Sequence, residues 1–199
     1  MIDATQMSRR FFLAAGLSTV ALAVTMPRPA LAFSEGEARS LITRTVSDIN
    51  GIINSGKSES EMYRDFEGVL TTYADTPSIA RSVLGPPARS ASSSDLTAFT
   101  KAFKGYLARK YGARFREFIG GQIQVNSVQK VNSIYDVRCT AILQGEAPFA
   151  ISFIVHDKSG KFIDLQIEGI SLLKTERAEI GAMLDRAGGS ISALTRSLG

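Results

Sequence analysis

From residue 35 onward, apolar side chains recur with a period near 3.6. Over 35–54, Ala38, Leu41, Ile42, Thr45, Ile49 and Ile53 share one stripe, which predicts an amphipathic helix. Gly51 and the Asn54-Ser55-Gly56 turn mark its end. Residues 59–73 repeat the pattern with Met62, Phe66, Val69, Leu70 and Tyr73. Thr76-Pro77 opens a shorter helix, with Thr as N-cap and Pro at the first helical position. Ile79, Ala80, Val83 and Leu84 form its stripe, and Gly85 stops it before Pro86-Pro87. Residues 95–118 hold the longest helical pattern. Leu96, Phe99, Phe103, Tyr106, Leu107 and Tyr111 lie on one stripe, with Lys101, Lys104, Arg109 and Lys110 largely off it. Gly112 interrupts the pattern before Phe115 and Phe118, and Gly120-Gly121 ends it.

The period then changes to 2. Residues 122–130, 135–144, 148–157 and 161–168 predict strands. Tyr135, Val137, Cys139, Ala141 and Leu143 share a face of the second; Phe149, Ile151, Phe153 and Val155 share a face of the third. On the last, Ile163, Leu165 and Ile167 alternate with Asp164, Gln166 and Glu168. Gln144-Gly145-Glu146 and Asp157-Lys158-Ser159-Gly160 are hairpin turns. Links this short imply an antiparallel meander with one apolar face. Helical spacing returns over 173–187 with Ile180, Met183 and Leu184, breaks at Gly188-Gly189, and resumes over 190–198 with Ile191, Leu194 and Leu198. The fold class is therefore α+β, an antiparallel sheet of about four strands covered on its apolar face by several helices.

The N-terminus reads differently. Ser8-Arg9-Arg10-Phe11-Phe12-Leu13 has the form of a twin-arginine (Tat) export motif. An uncharged apolar run from Phe11 to Met26 follows, and then a small-residue cleavage pattern, Ala30-Leu31-Ala32. The 16-residue run spans about 24 Å as helix. That is short against a hydrocarbon core of ~30 Å, so a cleaved signal over 1–32 is expected rather than an anchor. Cleavage after Ala32 leaves one domain over 33–199, and the expected compartment is the periplasm.

The signal carries three of the chain's 23 basic residues (Arg9, Arg10, Arg28) and one of its 19 acidic ones (Asp3), so the remainder has a net charge of +2. So mild a balance gives no footing for nucleic-acid binding, which needs clustered Lys and Arg on one face. Cys139 is the only cysteine, so no intramolecular disulfide forms. Its place in a strand suits a small buried apolar residue. One His and one Cys do not make a protein zinc site without carboxylates.

The order of motifs resembles the MlaC, or toluene-tolerance, family of periplasmic phospholipid-binding proteins. Three stretches carry the likeness. Val83-Leu84-Gly85 is followed by the Asp95-Leu96-Thr97-Ala98-Phe99-Thr100-Lys101-Ala102-Phe103-Lys104-Gly105-Tyr106-Leu107 helix. Lys110-Tyr111 leads to the Phe115 and Phe118 segment. Ile167-Glu168-Gly169-Ile170-Ser171-Leu172 precedes Arg177, the Gly188-Gly189 break and Leu194. The likeness runs from about Glu35 to Leu198. The chain departs from the family in having Pro86-Pro87-Ala88-Arg89 where an aromatic pair is usual, and in lacking tryptophan.

The resemblance implies a monomeric carrier, not an enzyme, with no cofactor and bound phospholipid as cargo. It implies work with an inner-membrane ABC transporter complex and an outer-membrane lipoprotein complex; a related branch is associated with hopanoid lipids. Such a carrier replaces the bilayer with an enclosed apolar pocket. At ~0.8 kcal/mol per methylene, two chains of about 15 methylenes would cost about 24 kcal/mol bare in water. The expected roof is Phe99, Phe103, Tyr106, Tyr111, Phe115 and Phe118. The expected floor is Tyr135, Val137, Phe149, Ile151, Phe153, Leu165 and Ile167. Arg109, Lys110, Arg114 and Arg116 form a basic stretch placed to meet a phosphate or an anionic membrane face, or to act as a solvated helix face.

Periodicity reads these apolar residues equally as a filled core. A ligand-free periplasmic adaptor and a small pocket enzyme using Asp136, His156 or Asp157 as acid or base therefore stay open. A general base must reach its substrate inside the pocket. By parity His156 points away from the face carrying Phe149, Ile151, Phe153 and Val155.

Overall fold

The computed structural model describes residues 33–199, without the side chain of Arg116; the export signal expected over 1–32 lies outside the described residues. The elements run α1 (Glu35–Ile53), α2 (Glu59–Tyr73), α3 (Thr76–Leu84), a 3-10 turn (Pro86–Arg89), α4 (Ser93–Gly112) and a second 3-10 turn (Phe115–Phe118). Then come β1 (Gln122–Val131), β2 (Ile134–Ile142), β3 (Phe149–His156), β4 (Lys161–Ile167), β5 (Ile170–Ser171), α5 (Leu172–Arg186) and α6 (Ile191–Leu198). The strands form one antiparallel sheet in the order β1-β2-β3-β4-β5. The fold is α+β as expected, with β5 as an added two-residue strand.

Local chemistry sets the helix ends. Ser34 and Glu37 form a reciprocal capping box at the start of α1. Asp75, rather than Thr76, caps α3, its Oδ1 accepting from the Ser78 N–H at 3.2 Å. Thr76 instead joins the first turn with Pro77. α4 stops at Gly112 and a separate 3-10 turn carries Phe115 and Phe118, so the helix expected over 95–118 is two elements. A Cβ on Gly112 would meet Tyr63 Cδ1 at 2.7 Å, so α4 approaches α2 here as only glycine allows.

Two bulges set which side chains face inward. Register shifts between Val125 and Ser127, and Arg39 of α1 donates to the Val125 and Asn126 carbonyls at 3.4 and 3.0 Å. A second shift pairs Val155 with Phe162 but Ile154 with Asp164. It puts Phe162 in phase with Leu165 and Ile167. The inner face therefore carries cross-strand rows such as Val137–Phe153–Leu165 and Tyr135–Val155–Phe162.

The β4–β5 link, Glu168-Gly169, has positive φ at both residues (49° and 80°), the requirement of a type I′ turn. It turns the chain directly into Ser171, whose Oγ caps α5 by accepting from the Lys174 N–H at 3.1 Å. α1 lies over β1 and β2, while α3 and α5 approach β4. The helices thus divide the inner face of the sheet into two halves.

Candidate functional site

The β1–β2 half is largely filled, although Ile123 of β1 and Leu143 beyond β2 reach the cavity of the other half. Val137, Cys139 and Ala141 are buried beneath α1. Tyr135 is sealed by Phe33, whose ring meets it edge-on at 5.7 Å and whose carbonyl accepts from the Tyr135 hydroxyl. The β3–β4 half holds a cavity of about 360 Å³. Its floor is Phe149, Ile151, Phe153, Phe162, Leu165 and Ile167. Phe103, Leu107 and Tyr111 of α4 cover it, with Phe115 and Phe118 from the following turn. Ile49 and Ile53 close one side from α1, and Phe66, Val69 and Leu70 from α2.

Nine of the expected site residues stand on this wall: Phe103, Tyr111, Phe115, Phe118, Phe149, Ile151, Phe153, Leu165 and Ile167. Four do not. Tyr135 and Val137 belong to the half covered by α1. Phe99 is fully buried in the main core and stacks on Phe103 at 5.6 Å between centroids. Tyr106 turns toward α5, its hydroxyl donating to Glu179 Oε1 at 2.6 Å. The sequence reading missed the wall supplied by α1 and α2. Their stripes were legible, but a stripe facing a hollow has the same spacing as one facing a core.

The basic stretch at the end of α4 is largely occupied within the protein. Arg109 donates to the Leu198 carbonyl. Lys110 bridges Glu176 Oε1 at 2.7 Å and Glu179 Oε2 at 2.5 Å. Arg114, exposed at the cavity edge, pairs with Glu117 at 3.0 Å. The Arg116 side chain lies outside the described residues.

Among the charged residues, Arg114, Glu117, Glu146 and Glu176 line the cavity. Asp164 also lines it, but both its oxygens are taken, by the Ser171 hydroxyl at 2.6 Å and the Leu173 N–H at 2.9 Å. Glu176 is 3% exposed. Its Oε1 accepts from Tyr111 at 2.5 Å as well as from Lys110. Burial and the Glu176 hydrogen bond raise the Tyr111 phenol well above its ordinary pKa. Burial and Glu179 push Tyr106 up to about 12. Burial opposes the Lys110 ammonium, but its hydrogen bonds to Glu176 and Glu179 outweigh that and hold its pKa above the usual lysine value.

Asp136, His156 and Asp157 do not line this cavity. Asp136 pairs with Arg138 at 3.0 Å. His156 borders a separate, more open concavity of about 490 Å³ with Asp75, Ser78 and Lys158. Burial pushes the Cys139 thiol up to about 12, which keeps it protonated and unreactive at neutral pH.

The family described as MlaC protein matches residues 43–199. The chain belongs to the MlaC family. Every cavity residue named above falls inside the matched region. A solved MlaC-like fold is the phospholipid-binding protein from Ralstonia solanacearum in complex with a phospholipid. It is 18% identical, covers 81% of this chain and 94% of its own, and superposes with a TM-score of 0.70. That likeness establishes a shared fold. No curated protein matches this MlaC-family chain.

Proposed function

We propose that this MlaC-family chain is a periplasmic phospholipid carrier, exported by its twin-arginine segment. It takes acyl chains into the cavity over β3 and β4 and passes them between an inner-membrane ABC transporter complex and an outer-membrane lipoprotein complex. The observation that carries the reading is the cavity itself. Its volume of about 360 Å³ sits within the ~300–1,000 Å³ range of small-molecule pockets. Packed interiors keep few voids larger than a water molecule. The wall is chiefly apolar, so an acyl chain seated there removes both its own surface and that of the wall from water.

Family membership supports the same reading, and so does the phospholipid held by the Ralstonia solanacearum protein. The placement of Asp136, His156 and Asp157 away from the cavity favours a carrier over the acid–base enzyme.

The test is lipid transfer between vesicles. Purified protein should move labelled phospholipid from donor to acceptor vesicles. Leu165→Trp, which places an indole in the cavity floor, should slow transfer while the protein stays folded. Transfer at the protein-free rate with the unaltered chain would reject the carrier.

A further inference from the structure

Two hollows share a wall. Ile79 of α3, Ile163 of β4 and Leu173 of α5 line the cavity, and the same three side chains line the concavity beside the β3–β4 turn. The rest of that concavity is polar: Asp75, Ser78, Ser82, His156, Lys158 and Ser159. Three apolar residues therefore part a chiefly apolar hollow from a polar, more open one.

Their position along the sheet places them at the far end of the cavity. The exposed residues on the cavity wall are Arg114, Glu117 and Glu146. Glu146 belongs to the β2–β3 turn, while Arg114 and Glu117 belong to the segment that feeds β1. Gly120 and Gly121 of that segment come so close to Gln144 and Leu143 that a Cβ would meet them at 2.8 and 2.7 Å. The exposed rim thus lies at the sheet end where β1 and β3 begin. In an antiparallel meander the β3–β4 turn, with Ile163 beside it, lies at the opposite end. Phe162 pairs with Val155, six residues along β3 from Phe149, so the floor runs about 20 Å from rim to partition at ~3.3 Å per residue.

The partition is held by backbone hydrogen bonds. The register shift leaves Ile163 as the extra residue between Phe162 and Asp164. Its two neighbours pin both helices. The Asp75 N–H, at the start of α3, donates to the Phe162 carbonyl at 2.9 Å. The Leu173 N–H, in the first turn of α5, donates to Asp164 Oδ1 at 2.9 Å. α3 also packs on α5 and on β4.

We propose that Ile79, Ile163 and Leu173 are the end-stop of the tail pocket, so that the carrier selects lipids by acyl-chain length. The inference rests on the carrier reading above and adds a specificity to it. A tail entering from the rim runs out of apolar floor after about 20 Å. That is the reach of about 15 carbons, since a zigzag of ~1.5 Å bonds advances about 1.3 Å per carbon. A longer tail has to fold back or push into the polar concavity. Each methylene left in water there costs about fourfold in the binding equilibrium.

The experiment incubates the protein, stripped of lipid, with vesicles of equimolar phosphatidylcholines whose paired tails run from 12 to 22 carbons. The protein is re-isolated and its lipid quantified by mass spectrometry. Loading by the wild type should be level up to about 16 carbons and fall at least tenfold by 22. Ile163→Ala removes part of the stop and should move the break to longer tails. Ile163→Phe enlarges it and should move the break to shorter ones. General destabilisation does not produce shifts of opposite sign at one position. Ile79→Ala repeats the first test from α3, and decides the matter should the Ile163 variants fail to fold. A wild-type profile without a break, or a break that stays in place in the folded variants, overturns the end-stop. A wild type that loads no lipid of any length overturns the carrier reading instead.

Discussion

Tyr111 of α4 and Glu176 of α5 meet across the seam between their helices, the phenol donating to the carboxylate at 2.5 Å. The two residues are 65 positions apart, so the contact ties the middle of the chain to its C-terminal helices. Tyr111→Phe removes the donor and keeps the ring in the wall. A hydrogen bond to a charged, buried acceptor contributes about 1–3 kcal/mol. For a domain of this size each kcal/mol corresponds to about 2–4 °C of melting temperature. A thermal melt should show a loss on that scale with lipid loading retained. An unchanged melt would mean the contact adds nothing to stability.

Glu179 makes the same seam sensitive to acid. The Lys110 hydrogen bond, and then that of Tyr106, hold its carboxyl below the usual glutamate value. A group whose folded pKa is depressed stabilises the protein above its unfolded pKa, about 4.3 for glutamate, and loses that contribution as pH falls through the folded value. Glu179→Gln should therefore melt below the wild type at neutral pH. The gap should narrow as pH drops below about 4. Melts at neutral and acid pH check this; a gap that widens in acid would contradict the sign.

Gly121 sits where the second 3-10 turn enters β1. A Cβ there would stand 2.7 Å from Leu143 Cδ2, 2.8 Å from the Ile142 carbonyl oxygen and 3.1 Å from that of Phe118. Two of these atoms are backbone and do not swing aside. Gly121→Ala should destabilise by about 1–3 kcal/mol. Phe118 and Leu143 line the cavity, so loading should fall as well. Denaturant titration together with lipid quantification tests both effects.

Much of the fold was legible because the hydrophobic period changes sharply after Gly120-Gly121. α2 occupies its expected 59–73 span, and each of the four longer strands lies within about two residues of its expected span. The β4 bulge was less visible. Phe162 stands next to Ile163 in sequence, and strict alternation does not put it in phase with Leu165.

The cavity was legible only in part. Tyr135 and Val137 share a stripe with Cys139, but which part of a stripe meets a helix depends on where α1 lies. Glu176 was not legible at all. In Lys174-Thr175-Glu176-Arg177 it reads as one more charge on a solvated helix, and its burial depends on Lys110 and Tyr111, far away in the chain.

The most direct measurement is organic extraction of the purified, natively folded protein followed by mass spectrometry of the extract. The carrier account predicts phospholipid at close to one molecule per chain, lost when the cavity floor is filled by Leu165→Trp. A folded protein that yields no lipid, and acquires none from vesicles, would contradict it.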